Sequence, residues 1–414
     1  MPSAHIITIG DELLIGQIIN NNSVFISQEL NKIGINIYQV STVSDNIEHI
    51  INSIRLAENN SDIIIITGGL GPTSDDYTKD ALCRYFNSSL KLNEQALEDI
   101  RDLFAKRAYS LTEHNRQQAM VPDHCSIIRN FQGTAPGLWF EQKDKIYIAL
   151  PGVPFEMKAM ISEYIIPKLK TRFSSQNIIH KTILTQGVGE SFLADTIKDW
   201  ELSLPKHIKL AYLPSPGIVR LRLSTSGEDY NLLLQEIENY ISGLKNYIGD
   251  LIFGYDEDTL ENVTGKLLAD KKLSLSVAES CTGGLIAHKI TSVPGASDYF
   301  KGSVVAYSNN VKTNLLKVSE EILKTNGAVS EPVVMQMAEG CRTLFNTDYA
   351  IATTGVAGPG GGSKNKPVGT TWIAISSSKE TKAYKFFFGD NRERNIQRAM
   401  LTALNLLRKD LIKF

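Results

Sequence analysis

Three stretches in the last third of the chain place reactive side chains where an apolar run gives way to a helix or a loop. The first is Glu279-Ser-Cys-Thr-Gly-Gly284, which follows an apolar run and opens a helical pattern over 285–290. In a parallel sheet that junction is the carboxyl edge, where such folds bind ligands. Small residues and free N–H groups at a helix start suit an oxyanion or a phosphate, which nominates Thr282, Gly283 and Gly284 as substrate contacts. A plain strand-to-helix turn with a cap would look the same, so the stretch decides nothing by itself.

The second stretch adds a base. Residues 302–308 read as a strand, and Asn309-Asn-Val-Lys-Thr-Asn-Leu-Leu316 opens a helix. With a right-handed crossover the two carboxyl ends lie side by side, so Ser280 is expected to face Tyr307 and Lys312. A desolvated lysine near a helix N-terminus can sit neutral and act as a base. This gives a Ser–Lys nucleophile with Tyr307 as a relay; the alternative is a surface lysine and a core tyrosine. His288 lies eight residues beyond Ser280, about 12 Å along a helix axis, too far to serve the serine, and is read as structural. Cys281 is the rival nucleophile, but no histidine is placed to activate it. The third stretch, Gly355-Val-Ala-Gly-Pro-Gly-Gly-Gly362, follows a strand at 349–354. Its backbone can approach a phosphate or a carbonyl oxygen, making Gly355, Gly358 and Gly360 contact candidates; a flexible hairpin is the alternative. Arg392 precedes a long amphipathic pattern and could grip a phosphate through two N–H groups, or be merely solvated.

A different chemistry is written near the N-terminus. Gly10-Asp-Glu-Leu13 follows the first apolar run and Thr67-Gly-Gly-Leu-Gly-Pro-Thr-Ser-Asp-Asp76 follows the third. Asp11, Glu12, Asp75 and Asp76 converge on one carboxyl edge beside Gly68, Gly69 and Gly71, and Asp45, after the second strand, is a fifth candidate. Clustered hard oxygens beside a phosphate-accepting loop suit a divalent cation and a pyrophosphate substrate. Each aspartate alone would read as a helix N-cap.

These stretches need elements to position them. Strands at 5–9, 35–43, 62–67 and 145–150 alternate with helical patterns at 22–32, 47–57, 94–106, 113–120 and 155–169, which predicts an α/β domain over 1–170 with a mainly parallel sheet. A polar linker at 171–177 leads to a small α+β unit over 175–253, in the order strand (181–186), helix (191–200), strand (208–213), strand (219–224), helix (230–244), strand (251–253). A second three-layer α/β domain with a mainly parallel sheet follows over 256–414.

Composition narrows the function classes. The 414 residues carry 43 basic and 45 acidic side chains, so no bulk charge points to nucleic acid or an anionic membrane. No apolar run approaches bilayer length and the N-terminus lacks a signal-peptide pattern, from which a cytoplasmic location is expected. Cys83, Cys125, Cys281 and Cys341 show no CxxC spacing, so neither zinc nor a disulfide framework is indicated.

Ala278-Glu-Ser-Cys-Thr-Gly-Gly284, Val305-Ala-Tyr-Ser-Asn309, Gly327-Ala-Val-Ser330, the Gly-rich stretch and Lys366-Pro-Val-Gly-Thr370 together resemble the CinA C-terminal domain, a family known for deamidating nicotinamide mononucleotide (NMN) without a metal. The resemblance implies catalytic roles for Ser280, Tyr307, Lys312, Thr354 and Arg392, the last set off from the family pattern by the inserted Asn391 in Gly389-Asp-Asn-Arg392. The N-terminal motifs, with Gly133-Thr-Ala-Pro-Gly137 and Leu150-Pro-Gly-Val-Pro154, resemble the molybdopterin-binding fold of MogA, MoaB and MoeA and match the CinA N-terminal domain. That likeness implies hydrolysis of ADP-ribose to AMP and ribose 5-phosphate, with Asp76 as a catalytic aspartate. It also implies magnesium, manganese or cobalt, potassium as a further ion, and a homodimer. The middle unit resembles the KH-like domain of full-length CinA proteins but has Gly187-Val-Gly-Glu190 in place of a basic GxxG loop, so RNA binding is not expected. A molybdopterin-binding protein and a non-enzymatic competence factor are the rival readings; the neutral charge offers the latter no DNA-binding surface.

Overall fold

The computed structural model describes residues 2–73, 75–106, 110–173 and 177–413, so Ser74 and the centre of the expected linker lie outside the described residues. The chain divides into two units, Met1–Ile179 with Ser226–Leu233, and His180–Thr225 with Leu234–Phe414.

In the first unit the strands are β1 (Ser3–Ile9), β2 (Asn36–Val43), β3 (Ile63–Thr67), β4 (Leu90–Leu92), β5 (Met120–Pro122), β6 (Ser126–Ile128), β7 (Gly137–Gln142) and β8 (Lys145–Leu150). The helices are α1 (Asp11–Leu14), α2 (Asn21–Lys32), α3 (Ile47–Glu58), α4 (Thr78–Phe86), α5 (Glu94–Lys106), α6 (Glu113–Gln117), α7 (Pro154–Met160) and α8 (Ile166–Arg172), with a π-helical turn at Ile161–Ile165. A six-stranded sheet runs β2-β1-β3-β8-β7-β6. The pairs among β2, β1, β3 and β8 are parallel, and β7 and β6 are antiparallel. Central parallel strands are covered on both faces, which is why all five residues of β3 are buried. Ile63 and Ile65 join a core on one face with α2 and α7, whereas Ile64 and Ile66 join α3 and α4 on the other.

Two expectations change here. The 113–120 helical pattern stops at Gln117 and gives way to β5, which pairs with β4. The β7–β8 hairpin was not anticipated, because its turn residues Lys143 and Asp144 take positive φ (51° and 60°) without the Asn-Gly or Asp-Gly signal such turns usually carry.

The middle sheet, ordered β10-β11-β9-β12, comprises β9 (Asn177–Gln186), β10 (Lys209–Ser215), β11 (Ile218–Gly227) and β12 (Ile252–Tyr255). With α9 (Glu190–Leu202) and α10 (Tyr230–Ile248) it follows the expected β-α-β-β-α-β order. The last part runs α11 (Leu260–Asp270), β13 (Leu275–Glu279), α12 (Leu285–Thr291), β14 (Phe300–Val305), α13 (Asn309–Asn314), α14 (Glu320–Asn326), α15 (Glu331–Phe345), β15 (Tyr349–Gly355), β16 (Thr370–Ser376), β17 (Thr381–Phe387) and α16 (Arg392–Lys413). Its sheet is β14-β13-β15-β16-β17, parallel across the first three strands and antiparallel beyond. The parallel trio puts the ends of β13, β14 and β15 on one edge.

Within the second unit, α16 is buried on more than one side. Leu401, Leu404 and Leu407 share a core with Val277 and Ile351, and with Leu184 and Phe253 of the middle sheet. Polar side chains cross the same contact: Arg408 donates to Ile252 O (3.1 Å) and to Asn405 Oδ1 (2.8 Å), and Gln186 donates to Thr402 Oγ1 (3.3 Å). On the opposite face, α15 packs so closely on the segment that follows α13 that a Cβ on Gly340 would stand 1.9 Å from Leu316 O. Gly→Ala inside a helix ordinarily stabilises by about 1 kcal/mol, but this contact is with backbone that cannot swing away. Gly340→Ala is therefore expected to lower stability by roughly 1–3 kcal/mol, read as a lower urea midpoint.

Candidate functional site

β13 delivers Ser280 to the sheet edge, and the backbone holds it from both sides. Ser280 N donates to Thr353 O (3.0 Å) on β15, and Ala306 N, just past β14, donates to Glu279 O (2.7 Å). The chain then turns through Gly283 and Gly284, both at positive φ (63° and 100°). Ser308 caps α13 by accepting from Val311 N, which aims Lys312 back at the edge.

Lys312 is 1% exposed, and its Nζ donates to Ser280 Oγ (3.2 Å) and to Ala306 O (2.6 Å). Among the described residues it forms no ion pair. Desolvation pulls its pKa below the ordinary lysine value, offset in part by the nearby Cys281 thiol. A buried ammonium without a carboxylate is unfavourable, so burial shifts the balance here towards the neutral amine. The neighbouring Cys281 is buried and its thiol is pushed up to about 12 by burial, which leaves it little thiolate for attack.

The remaining candidates fall differently. Tyr307 lies beyond the end of β14, is 65% exposed, and makes no hydrogen bond to Ser280 or Lys312; its hydroxyl accepts from Arg392 (3.4 Å). The relay reading therefore has no contact in this arrangement, because the strand ends at Val305 and releases Tyr307 from the edge. Arg392 is the first residue of α16 and also donates to Gly358 O (2.7 Å), which brings it to the Gly-rich loop. The extra Asn391 has a role in placing it: its Oδ1 accepts from Arg394 N as a helix cap. Buried Asn395 ties the loop to α16 through Ala357 O and Gly389 O (both 3.0 Å). Thr354 donates to Ala328 O (2.8 Å), and Thr282 pairs with Thr353 (2.8 Å). His288 is exposed on α12.

The expectation of free N–H groups at the start of α12 is corrected. Glu279, fully buried, accepts from Gly284 N (3.0 Å) and Ile286 N (3.1 Å) on one oxygen and from Ala287 N (2.8 Å) on the other. Gly283 N is spent on Ser280 O. The amides of Gly283 and Gly284 are thus occupied by the fold. Glu279 was not singled out in the sequence, although a glutamate before a reactive serine and a Gly-Gly turn was a readable signal.

In the first unit, Glu12, Asp45, Asp75 and Asp76 line one cleft of about 330 Å³ with Gly68, Gly69 and Gly71. Asp11 is not on its wall; its N–H donates to Asp45 Oδ2 (3.0 Å). Asp76 Oδ2 accepts from Thr73 N (2.9 Å), and a Cβ on Gly71 would stand 2.6 Å from that same oxygen. The cleft also holds Glu156, 8% exposed at the start of α7 and bonded by Asn130 (2.7 Å), which the sequence reading passed over two residues after Pro154. Burial raises the Asp45 carboxyl above its usual range, and the charges of Asp11, Glu12 and Asp75 add to this against the Asp11 N–H bond. A divalent cation bound beside these carboxylates would relieve that repulsion. Among the described residues, however, no three such side chains stand close enough to form a ready-made metal site.

The fold and its two sites define a modular α/β protein: an acidic, glycine-lined cleft on one sheet and a Ser–Lys pair on another, with a small α+β sheet between them in sequence. Residues 5–171 match the probable molybdopterin binding domain, 180–254 the damage-inducible protein CinA KH domain, and 257–411 the CinA C-terminal domain. A CinA-like protein of Flavobacterium psychrophilum is 50% identical over 414 residues, covering 99% of each chain. Another from Cytophaga hutchinsonii is 46% identical over 99% of this chain and 98% of its own. A putative competence-damage inducible protein of Caldicellulosiruptor bescii is 42% identical, over 99% of this chain and 100% of its own. The chain belongs to the CinA family. Among the described residues no helix is long and apolar enough to cross a membrane.

Lys312 also sets a pH signature. With a folded pKa below the unfolded value, the unfolded chain binds more protons between the two, so stability rises with pH through that window. The destabilising contribution is complete below the folded pKa. Melting temperatures of the parent minus those of Lys312→Met should therefore rise with pH as it climbs towards the ordinary lysine value; a difference flat throughout the approach to that value would mean Lys312 titrates normally.

Proposed function

We propose that the C-terminal domain hydrolyses the carboxamide of NMN, with Ser280 as nucleophile and Lys312 as base. The supporting observation is the buried Lys312 amine 3.2 Å from Ser280 Oγ without a carboxylate partner. In this reading Lys312 Nζ takes the hydroxyl proton as Oγ bonds to the amide carbon. The C–N bond then breaks, Lys312 returns the proton to the leaving nitrogen, and ammonia departs. Water repeats the cycle on the acyl-serine and releases the carboxylate. Arg392, with two N–H-bearing nitrogens at the mouth of the Gly-rich loop, suits the nucleotide phosphate.

Ammonia release from NMN should fall at least 10³-fold in Ser280→Ala, consistent with loss of a nucleophile, and persist in Cys281→Ala. The reverse pattern would reject the assignment. Because the neutral amine is the base, kcat/KM should rise with pH through the lowered Lys312 pKa.

For the N-terminal domain the proposal is hydrolysis of ADP-ribose to AMP and ribose 5-phosphate. Glu12, Asp45, Asp75 and Asp76 would hold a divalent cation, which supplies charge neutralisation at the pyrophosphate. The glycines at 68, 69 and 71 let the phosphates approach backbone closely. AMP formation should be abolished by chelator and reduced at least 10²-fold by Asp76→Ala. Activity that survives both, or binding of molybdopterin without turnover, would favour the rival reading.

A further inference from the structure

An amide hydrolase must stabilise the oxyanion that forms when the nucleophile adds, commonly with backbone N–H groups beside the nucleophile. In the 280–287 turn most such groups are consumed. Gly283 N bonds Ser280 O, Leu285 N bonds Thr282 O, and Gly284, Ile286 and Ala287 all donate to Glu279. Ser280 N is held by Thr353 O. The two amides left without an oxygen acceptor among the described residues are those of Thr282 and of Cys281, whose N–H faces its own sulfur, a weak acceptor that an oxyanion would displace.

We propose that Glu279 is a positioning residue for the amidase reaction: by closing the N-terminus of α12 it fixes the turn so that the Cys281 and Thr282 N–H groups receive the substrate's carbonyl oxygen. This rests on the amidase reading above. Two features favour it over a purely structural role. A carboxylate with no exposed surface is costly to bury, and an apolar residue would hold a strand end more cheaply. Moreover, Glu279 stands in the same closed circuit as the reactive pair. Its carbonyl accepts from Ala306 N, Ala306 O accepts from Lys312 Nζ, and Lys312 reaches the serine next to Glu279. The side chain and the main chain of one residue thus fix the anion-binding turn and the base, respectively.

The two functions separate in Glu279→Gln. The variant keeps the main-chain circuit but replaces one carboxylate oxygen by an NH2 that faces N–H donors, so the turn loses part of its anchor while Lys312 keeps its contacts. In the full-length protein, kcat for NMN should fall 30-fold or more, with KM within threefold and the kcat/KM pH midpoint unmoved. Rates are normalised to the folded fraction from circular dichroism, so unfolding does not imitate the effect. A kcat within threefold of the parent would overturn the proposal. So would a loss accounted for by unfolding, or one accompanied by a shifted pH midpoint, which would place Glu279 on the base instead. If the parent chain itself releases no ammonia from NMN, the amidase reading fails first, which keeps the two failures distinct.

Discussion

The second unit depends on one unusual burial, a lysine amine held inside the sheet edge by a main-chain carbonyl and a serine hydroxyl. The protein interior disfavours the charged amine far more than the neutral one, so the arrangement makes the amine easier to deprotonate than a lysine in water. Everything that places Lys312 serves this. The Ser308 cap starts α13 at the right residue, Gly340 lets α15 close on the segment that leaves α13 at Leu316, and the β13–β14 register brings Ala306 O to the amine.

α16 gives the same site its second wall. Its first turn carries Arg392 and Asn395 against the Gly-rich loop, while its later turns bury Thr402, Asn405 and Arg408 against the middle sheet. A helix is stiff over this length, so the loop and the middle sheet share one rigid element. The middle sheet thereby packs against the helix that bears the arginine.

Both proposed chemistries use one geometric rule, side chains gathered at the carboxyl ends of parallel strands, yet the electrostatics are opposite. The C-terminal edge weakens a cation's hold on its proton by burial. The N-terminal cleft crowds carboxylates until burial and mutual repulsion lift Asp45.

The sequence by itself determined the modular order, the buried parallel strands, the Ser280–Lys312 pairing and the acidic cleft, because each rests on local pattern plus the handedness of β-α-β crossovers. Side-chain reach across a sheet edge was legible where the two residues sit at adjacent strand ends. Other features were decided only by tertiary structure. The length of β14 released Tyr307 to solvent and to Arg392, and no local signal reports where a strand ends by a residue or two. The β7–β8 hairpin turned on positive-φ residues that lack glycine. Above all, the amides that the Gly-Gly turn advertises were already taken, Gly283 N by Ser280 O and Gly284 N by Glu279, since hydrogen-bond occupancy is a property of the packed chain.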